Sequence, residues 1–264
     1  MGMLLAAVIW ALALMTGYFL YNRNYWMPEA ISEAAHRIDG GIVLTLAITG
    51  VAFFAAQILL GIFIFRYRER GEGRARYVHG NNLIEIGGMV VTTVVFVSLA
   101  IAGQRVWASV HLTESPPDAV RIEVLAEQFV WNIHYPGADG IMGRTAPQYY
   151  ERIGNTVGIA PDDPAGADDL IAINNVAVPV NTPVELTLKS KDVLHGFFVP
   201  QLRIKQDTVP GLAVPLRFTA TKVGEYEIAC AELCGLTHYR MRGFLKVMEP
   251  NDYQAWLDEL KEEE

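Results

Sequence analysis

Two regimes of hydrophobic patterning divide the chain near residue 110. Three long apolar runs dominate the first part. The run IVLTLAITGVAFFAAQILLGIFIF, residues 42–65, carries no charge. At ~1.5 Å rise per residue, a helix of that length exceeds a hydrocarbon core ~30 Å thick. The run LIEIGGMVVTTVVFVSLAIAG, residues 83–103, has one charge, Glu85, near its start. Between them lies RYRERGEGRARYVHGNN, with five arginines in 66–76 against two glutamates. A short loop this basic stays in the cytoplasm. Residues 41–110 therefore predict a transmembrane helical hairpin, with the chain after about 110 outside the cytoplasm.

The first run, MGMLLAAVIWALALMTGYFLY, is either a signal peptide or a further membrane helix. A signal peptide has a positive start, and no Lys or Arg precedes Arg23. Its only A-x-A pattern, Ala11–Ala13, falls too early in the apolar run. The expectation is an extra transmembrane helix within 1–40, followed by an exposed outer loop over 22–40. Glu85 has two readings. An intramembrane carboxylate is costly and often functional, but this one lies a few residues from the basic loop. Position alone favours the cytoplasmic interface.

Residues 111–264 change period. Short alternating segments bounded by turn residues predict strands at 121–135, 183–190, 214–220, 225–230 and 243–248. An antiparallel β-sandwich or barrel accounts for them. Residues 137–170, rich in Gly, Pro and Asp, read as a long loop or insertion. After Pro250, Tyr253, Trp256, Leu257 and Leu260 form an i, i+3, i+4, i+7 stripe. That predicts a C-terminal helix docked on the domain, with a solvated KEEE end.

Charge sharpens the division. Residues 1–110 hold eight Arg and six Asp/Glu, +2, which leaves −10 of the net −8 for the remainder. Such an acidic domain argues against nucleic acid and for a basic protein partner.

The candidate chemistry lies in CAELCGLTHYRM, residues 230–241. Two cysteines cannot build a disulfide framework. Cys230, Cys234, His238 and Met241 offer thiolate, imidazole and thioether within twelve residues. That soft set suits copper better than magnesium, calcium or manganese. A single-copper site of the blue type also needs a distant histidine, and SKDVLHGFFV supplies His195, 35 residues before Cys230. One copper wants one thiolate and two imidazoles, so this set has a thiolate to spare. Two copper ions sharing both thiolates would use it, with Met241 weakly bound to one ion and a backbone carbonyl to the other. A Cys2His2 zinc site and a Cys230–Cys234 disulfide remain as alternatives. Zinc leaves Met241 without a role.

DVLHGFFVPQLRIKQDTVPG (192–211) followed by C-x-E-x-C-G-x-x-H-x-x-M resembles the two signature blocks of haem–copper cytochrome c oxidase subunit II. The resemblance covers roughly 41–250 and implies a membrane-anchored, cupredoxin-like Greek-key β-barrel with a binuclear copper A centre. Carried over by position, Cys230 and Cys234 bridge the two coppers, and His195 and His238 bind one each. Met241 is the weak ligand on one side, and Glu232 gives its backbone carbonyl on the other. The Glu232 side chain would reach a magnesium ion shared with subunit I. Glu85, in an IEI block, would mark a proton-channel entrance, although GG (87–88) stands where the family has Trp-Thr.

The family's Q-W-x-W strand reads QFVW here, so Phe129 and Trp131 are the candidates where electrons enter. Phe129, Trp131, Ile133 and Tyr135 would share one strand face. Asp192 is a candidate docking carboxylate for a c-type cytochrome. The chain has no C-x-x-C-H motif and so no covalent haem, which makes the donor a separate protein.

The expected protein accepts electrons from that cytochrome and passes them to haem in subunit I, where oxygen is reduced to water. Its other partners would be further oxidase subunits and membrane lipid. It would sit in a bacterial inner membrane with the copper domain, 111–264, on the periplasmic side. Two alternatives are a membrane-anchored metal-binding or assembly protein, and a quinol oxidase subunit II. The latter usually lacks the copper ligands that are all present here.

Overall fold

The computed structural model describes residues 1–22, 27–69, 77 and 79–262. Three arginines of the basic loop (70, 74 and 76) and the last two glutamates of KEEE lie outside the described residues. The chain forms two compact units, Met1–Trp26 with Asp39–Arg105, and Met27–Ile38 with Val106–Glu264.

The helices are α1 (Gly2–Asn22), α2 (Glu33–Arg66) and α3 (Asn82–His111), each long and apolar enough to cross a membrane. In the first unit Trp10 of α1 lies against Gly61 of α2, and Gly17 of α1 against Phe54. Asn81 caps α3, its side-chain oxygen accepting from the Leu83 N–H at 3.0 Å. Glu85 falls in the first turn of α3 and is exposed. There the helix dipole favours a carboxylate without further partners.

The second helix starts eight residues earlier than the predicted hairpin, and part of 22–40 is not an exposed loop. Ser32 is the reason at one level. Its Oγ accepts from the Ala35 N–H at 3.0 Å, a serine N-cap. Ile31 is the reason at the next. It is fully buried in the core of the second unit. Its N–H donates to Gln201 O at 3.1 Å, and its carbonyl accepts from Thr221 N–H at 2.7 Å. Ser32 bridges to Ala220, and Lys222 pairs with Glu29 at 2.6 Å. Residues 27–32 are thus a strap on the β unit.

That unit contains β1 (Val120–Glu127), β2 (Val130–Tyr135), β3 (Leu170–Ile173), β4 (Asn175–Pro179) and β5 (Pro183–Ser190). It continues with β6 (His195–Val199), β7 (Ile204–Thr208), β8 (Val214–Thr219), β9 (Gly224–Cys230), β10 (Arg242–Met248) and α4 (Pro250–Glu262). Two five-stranded sheets, β3-β2-β1-β5-β8 and β4-β10-β9-β6-β7, share one core. β5 shows the alternation plainly, with Val184, Leu186 and Leu188 inward. This is a cupredoxin-like fold.

The stretch read as one strand, 121–135, is a hairpin. β1 and β2 pair antiparallel around Gln128 and Phe129. Trp131, Ile133 and Tyr135 do share the buried face, but Phe129 sits in the turn, half-buried. The strands at 170–179 and 195–208 add to those expected. β3 and β4 belong to different sheets, and the chain changes sheet at Asn174, whose φ of 60° is a left-handed position that asparagine tolerates. The Asn174 side chain accepts from Trp131 N–H at 2.9 Å, and its carbonyl accepts from Phe244 N–H at 2.7 Å, tying the two sheets together.

Residues 137–169 are the expected long loop. It is closed at its neck by buried His134 and Asp169, 2.6 Å apart. It is tied to the outer sheet face through Thr145, which donates to Glu123 at 3.2 Å. α4 docks as predicted, with Trp256 edge-on to Tyr135 at 5.4 Å.

The strap makes a measurable claim on stability. Ile31→Ala should lower the unfolding free energy of the β unit by about 2–4 kcal/mol, the cost of emptying a buried isoleucine site. Thermal unfolding of the detergent-solubilised full chain, followed by tryptophan fluorescence, reads this. An unchanged midpoint would mean that the strap adds nothing to the core.

Candidate metal centre

Three segments meet at one end of the β unit: the start of β6, the end of β9 with the loop after it, and the β1–β2 turn. The antiparallel pairing of β6 with β9 sets Phe197 opposite Cys230. That register brings His195 beside a cysteine 35 positions later. Gly196 makes the approach possible. A Cβ there would meet the Ala231 carbonyl carbon and Glu232 nitrogen at 2.9 Å, and the Gly196 carbonyl accepts from Ala231 N–H at 2.8 Å.

His195, Cys230 and Cys234 offer ligand atoms that all lie within 4.8 Å of one another. They are the group of three or more His, Cys, Asp and Glu among the described residues that could hold a metal ion. Both cysteines are free, with Sγ atoms 3.8 Å apart, so the disulfide alternative is not what the fold holds. Met241 Sδ is 3.2 Å from His195 Nδ1 and 3.7 Å from Cys234 Sγ. His238 lies outside the mutual cluster, yet its Nδ1 is 3.6 Å from Cys234 Sγ. The Cys230 thiol donates to the Glu232 carbonyl at 3.2 Å. Soft donors therefore converge, with His195 inside the mutual cluster and His238 beside Cys234. His195, Cys234 and Met241 are buried; His238, Cys230 and Glu232 are half-buried.

The electrostatics of the metal-free site favour one thiolate. Burial pushes the Cys230 thiol up, but hydrogen bonds from His195 and from backbone N–H groups outweigh it and bring it down to about 6. Burial, then the adjacent Cys230 sulfur, push Cys234 up to about 11. Burial would hold His195 down, but Cys230 and Asp192 together raise it above its ordinary value.

Asp192 is engaged here. One carboxylate oxygen accepts from His195 Nε2 at 2.9 Å and from Val193 N–H at 2.7 Å, and the other accepts from Gln128 N–H at 2.8 Å. Three donors, working against partial burial, hold its carboxyl below the usual range. A carboxylate on Nε2 leaves His195 Nδ1 facing the sulfurs, the usual support for a ligating histidine. The side chain keeps 28% of its surface exposed.

Trp131 is fully buried, edge-on to His195 at 6.2 Å and to Phe197 at 5.6 Å. It is core, behind the cluster. Phe129 lies nearer the surface and packs on the cysteine loop. A Cβ at Gly235, where φ is +142°, would sit 3.1 Å from its ring. Glu85 belongs to α3 in the other unit and is not among these residues. Sequence reasoning missed Gln128, and the only signal it carries is its position beside Phe129 in QFVW.

Comparison with known proteins meets this geometry from the other direction. A family described as "Cytochrome C oxidase subunit II, periplasmic domain" matches residues 121–248. The chain is 33% identical over 245 residues to the alternative cytochrome c oxidase subunit 2 of Bradyrhizobium diazoefficiens, covering 92% of this chain and 87% of that protein. It is 28% identical to cytochrome c oxidase subunit 2 of Thermostichus vulcanus, over 95% of this chain and 84% of that one. Among solved structures, the periplasmic domain of subunit II of cytochrome oxidase from Bradyrhizobium japonicum is 25% identical. That likeness covers 57% of this chain and 99% of that one at a TM-score of 0.42. The family follows from the sequence matches alone: this chain belongs to the cytochrome c oxidase subunit II family, as an inner-membrane protein with a periplasmic domain.

Proposed function

We propose that this chain is the electron-accepting subunit of a cytochrome c oxidase, taking electrons from a c-type cytochrome at a binuclear copper centre and delivering them to haem in subunit I. The observation that carries the reading is the convergence of two thiols, two imidazoles, a thioether and a carbonyl in one place. A copper pair bound there would supply a one-electron carrier.

The chain's own residues would divide the work as follows. Cys230, Cys234, His195 and His238 would hold the copper ions, and Met241 and the Glu232 carbonyl would add weaker donors. Two features support two ions over one. His238 touches Cys234 but lies outside the cluster that includes His195, and the donor set exceeds what one soft ion needs. A zinc reading leaves Met241 idle although its sulfur is buried against His195. The burial of His195, Cys234 and Met241 excludes water, and the Asp192 bond fixes the His195 ring. Both limit rearrangement when charge arrives.

The remaining assignments follow the family. A magnesium ion at the Glu232 side chain would draw its other ligands from subunit I. Phe129, at the surface over the cysteine loop, is the place for electrons to enter, with buried Trp131 behind it. The acidic outer face, with what Asp192 leaves exposed, would steer a basic cytochrome, an effect that weakens with salt. Glu85 is the proton-channel candidate.

The full chain in detergent, loaded with copper, should bind two ions, turn purple and give the EPR hyperfine pattern of one electron shared by two coppers. A blue or colourless protein with one ion would overturn the reading. Cys230→Ser and Cys234→Ser should each abolish the shared-electron spectrum. Met241→Leu should alter it while copper is retained, because a thioether would bind weakly. Copper affinity should also rise with pH. Between about 6 and 11 the metal-free pair holds one thiol proton, on Cys234, which copper must displace. Affinity should therefore climb at least about tenfold per pH unit there, and more steeply where His195, raised above its ordinary value, still carries the Nδ1 proton that ligation removes, as measured by chelator competition at pH 7 and pH 8.

A further inference from the structure

The β1–β2 turn touches both halves of the metal centre, and one residue makes two of the contacts. The backbone N–H of Gln128 donates to Asp192 at 2.8 Å, and Asp192 in turn accepts from His195 Nε2 at 2.9 Å. The side-chain amide of Gln128 donates to the carbonyl of Cys234. The next residue, Phe129, lays its ring over Gly235, and a Cβ on Gly235 would meet Gln128 Nε2 at 2.7 Å. His195 and Cys234 come from segments 39 positions apart. Apart from direct contact within the cluster, this turn is where both are gripped by a third element.

We infer that Gln128 is a positioning residue for the metal centre. It works as a bracket: its backbone sets the carboxylate that orients His195, and its side chain holds the peptide that carries Cys234. The Cys234 peptide needs such a hold. It lies inside the β9–β10 loop, beside Gly235, whose φ is +142°, and between the exposed side chains of Leu233 and Leu236. Neither neighbour anchors the loop through burial. The side-chain arm is separable from the backbone arm by substitution, because any residue except proline keeps the N–H to Asp192.

This inference rests on the metal-centre reading above, and the test separates the two. Gln128→Met has similar length and no donor. Gln128→Glu is isosteric and, ionised, accepts only. In the metal-free full chain in detergent, both should raise hydrogen exchange of the 231–241 segment on the order of two- to fivefold, the range for losing one partly exposed hydrogen bond. Exchange in α4 should not change. Asn155→Ala removes two side-chain bonds in the 137–169 loop, where Asn155 Nδ2 donates to the Ile159 carbonyl at 2.8 Å and Oδ1 accepts from the Ile159 N–H at 2.7 Å, and serves as the control for general loosening.

In the copper-loaded chain, both Gln128 variants should release copper to a chelator faster by a similar factor and shift the visible spectrum, and Asn155→Ala should do neither. Exchange at 231–241 that matches wild type, or that rises equally in Asn155→Ala, would overturn the bracket. Wild type failing to bind two coppers would instead overturn the metal reading, and the exchange result on the metal-free chain would still decide the bracket.

Discussion

The pairing of β6 with β9 is the contact on which the candidate centre depends. Phe197 opposite Cys230, and Phe198 opposite Ala229, place His195 at the strand end next to the first cysteine. A slip of one residue would turn His195 to the other face of the sheet. Register is held from both sides. Phe197 and Val199 are fully buried, and β7 on the outer edge and β10 on the inner lock the two strands in the sheet. Gly196 permits the close backbone approach that this register requires.

The second sheet contributes through its hairpin. β1 and β2 turn at Gln128 and Phe129, at the same end as the metal cluster, while Trp131 fills the core behind His195. The polar contacts at this end are layered. Sulfur and imidazole face inward, a carboxylate supports the imidazole from outside, and the hairpin amide supports the carboxylate. Each layer satisfies groups that the one inside it leaves unpaired. That is what a buried polar site requires if it is to hold one geometry.

The segment Met27–Ile38 also belongs to the β unit. Ile31 completes the core, and Ser32 both bridges to Ala220 and caps α2. The 137–169 loop has the opposite character. It covers polar residues on an outer sheet face, and Asp169 closes it by accepting from His134 and from the Gly137 and Gly143 N–H groups, with Thr145 bonded to Glu123 and Lys189. The strap strengthens apolar packing, whereas the loop organises charge.

The sequence by itself determined the three apolar helices, the strands with clean alternation (β5, β8, β9 and β10), the docked C-terminal helix and the candidate donor residues. Those signals are local: a run length, a period of two, a stripe of 3.6, a spacing of soft ligands. Only the tertiary structure decided what depends on contacts distant in the chain. The β3–β4 pair was illegible because it changes sheet at Asn174, because LIAI in β3 is apolar at every position, and because β4 is buried on both faces. The 121–135 segment looked like one strand because a two-residue turn of Gln and Phe carries no Gly, Pro or Asn to mark it. Ile31 read as loop because its burial comes from residues 170 to 190 positions later. Asp192 read only as a docking carboxylate, since nothing near it in sequence reveals its bond from the Gln128 N–H, 64 positions upstream. Ligand identity is a property of side chains and can be read along the chain. Ligand support is a property of neighbours, which exist only once the two sheets have closed on each other.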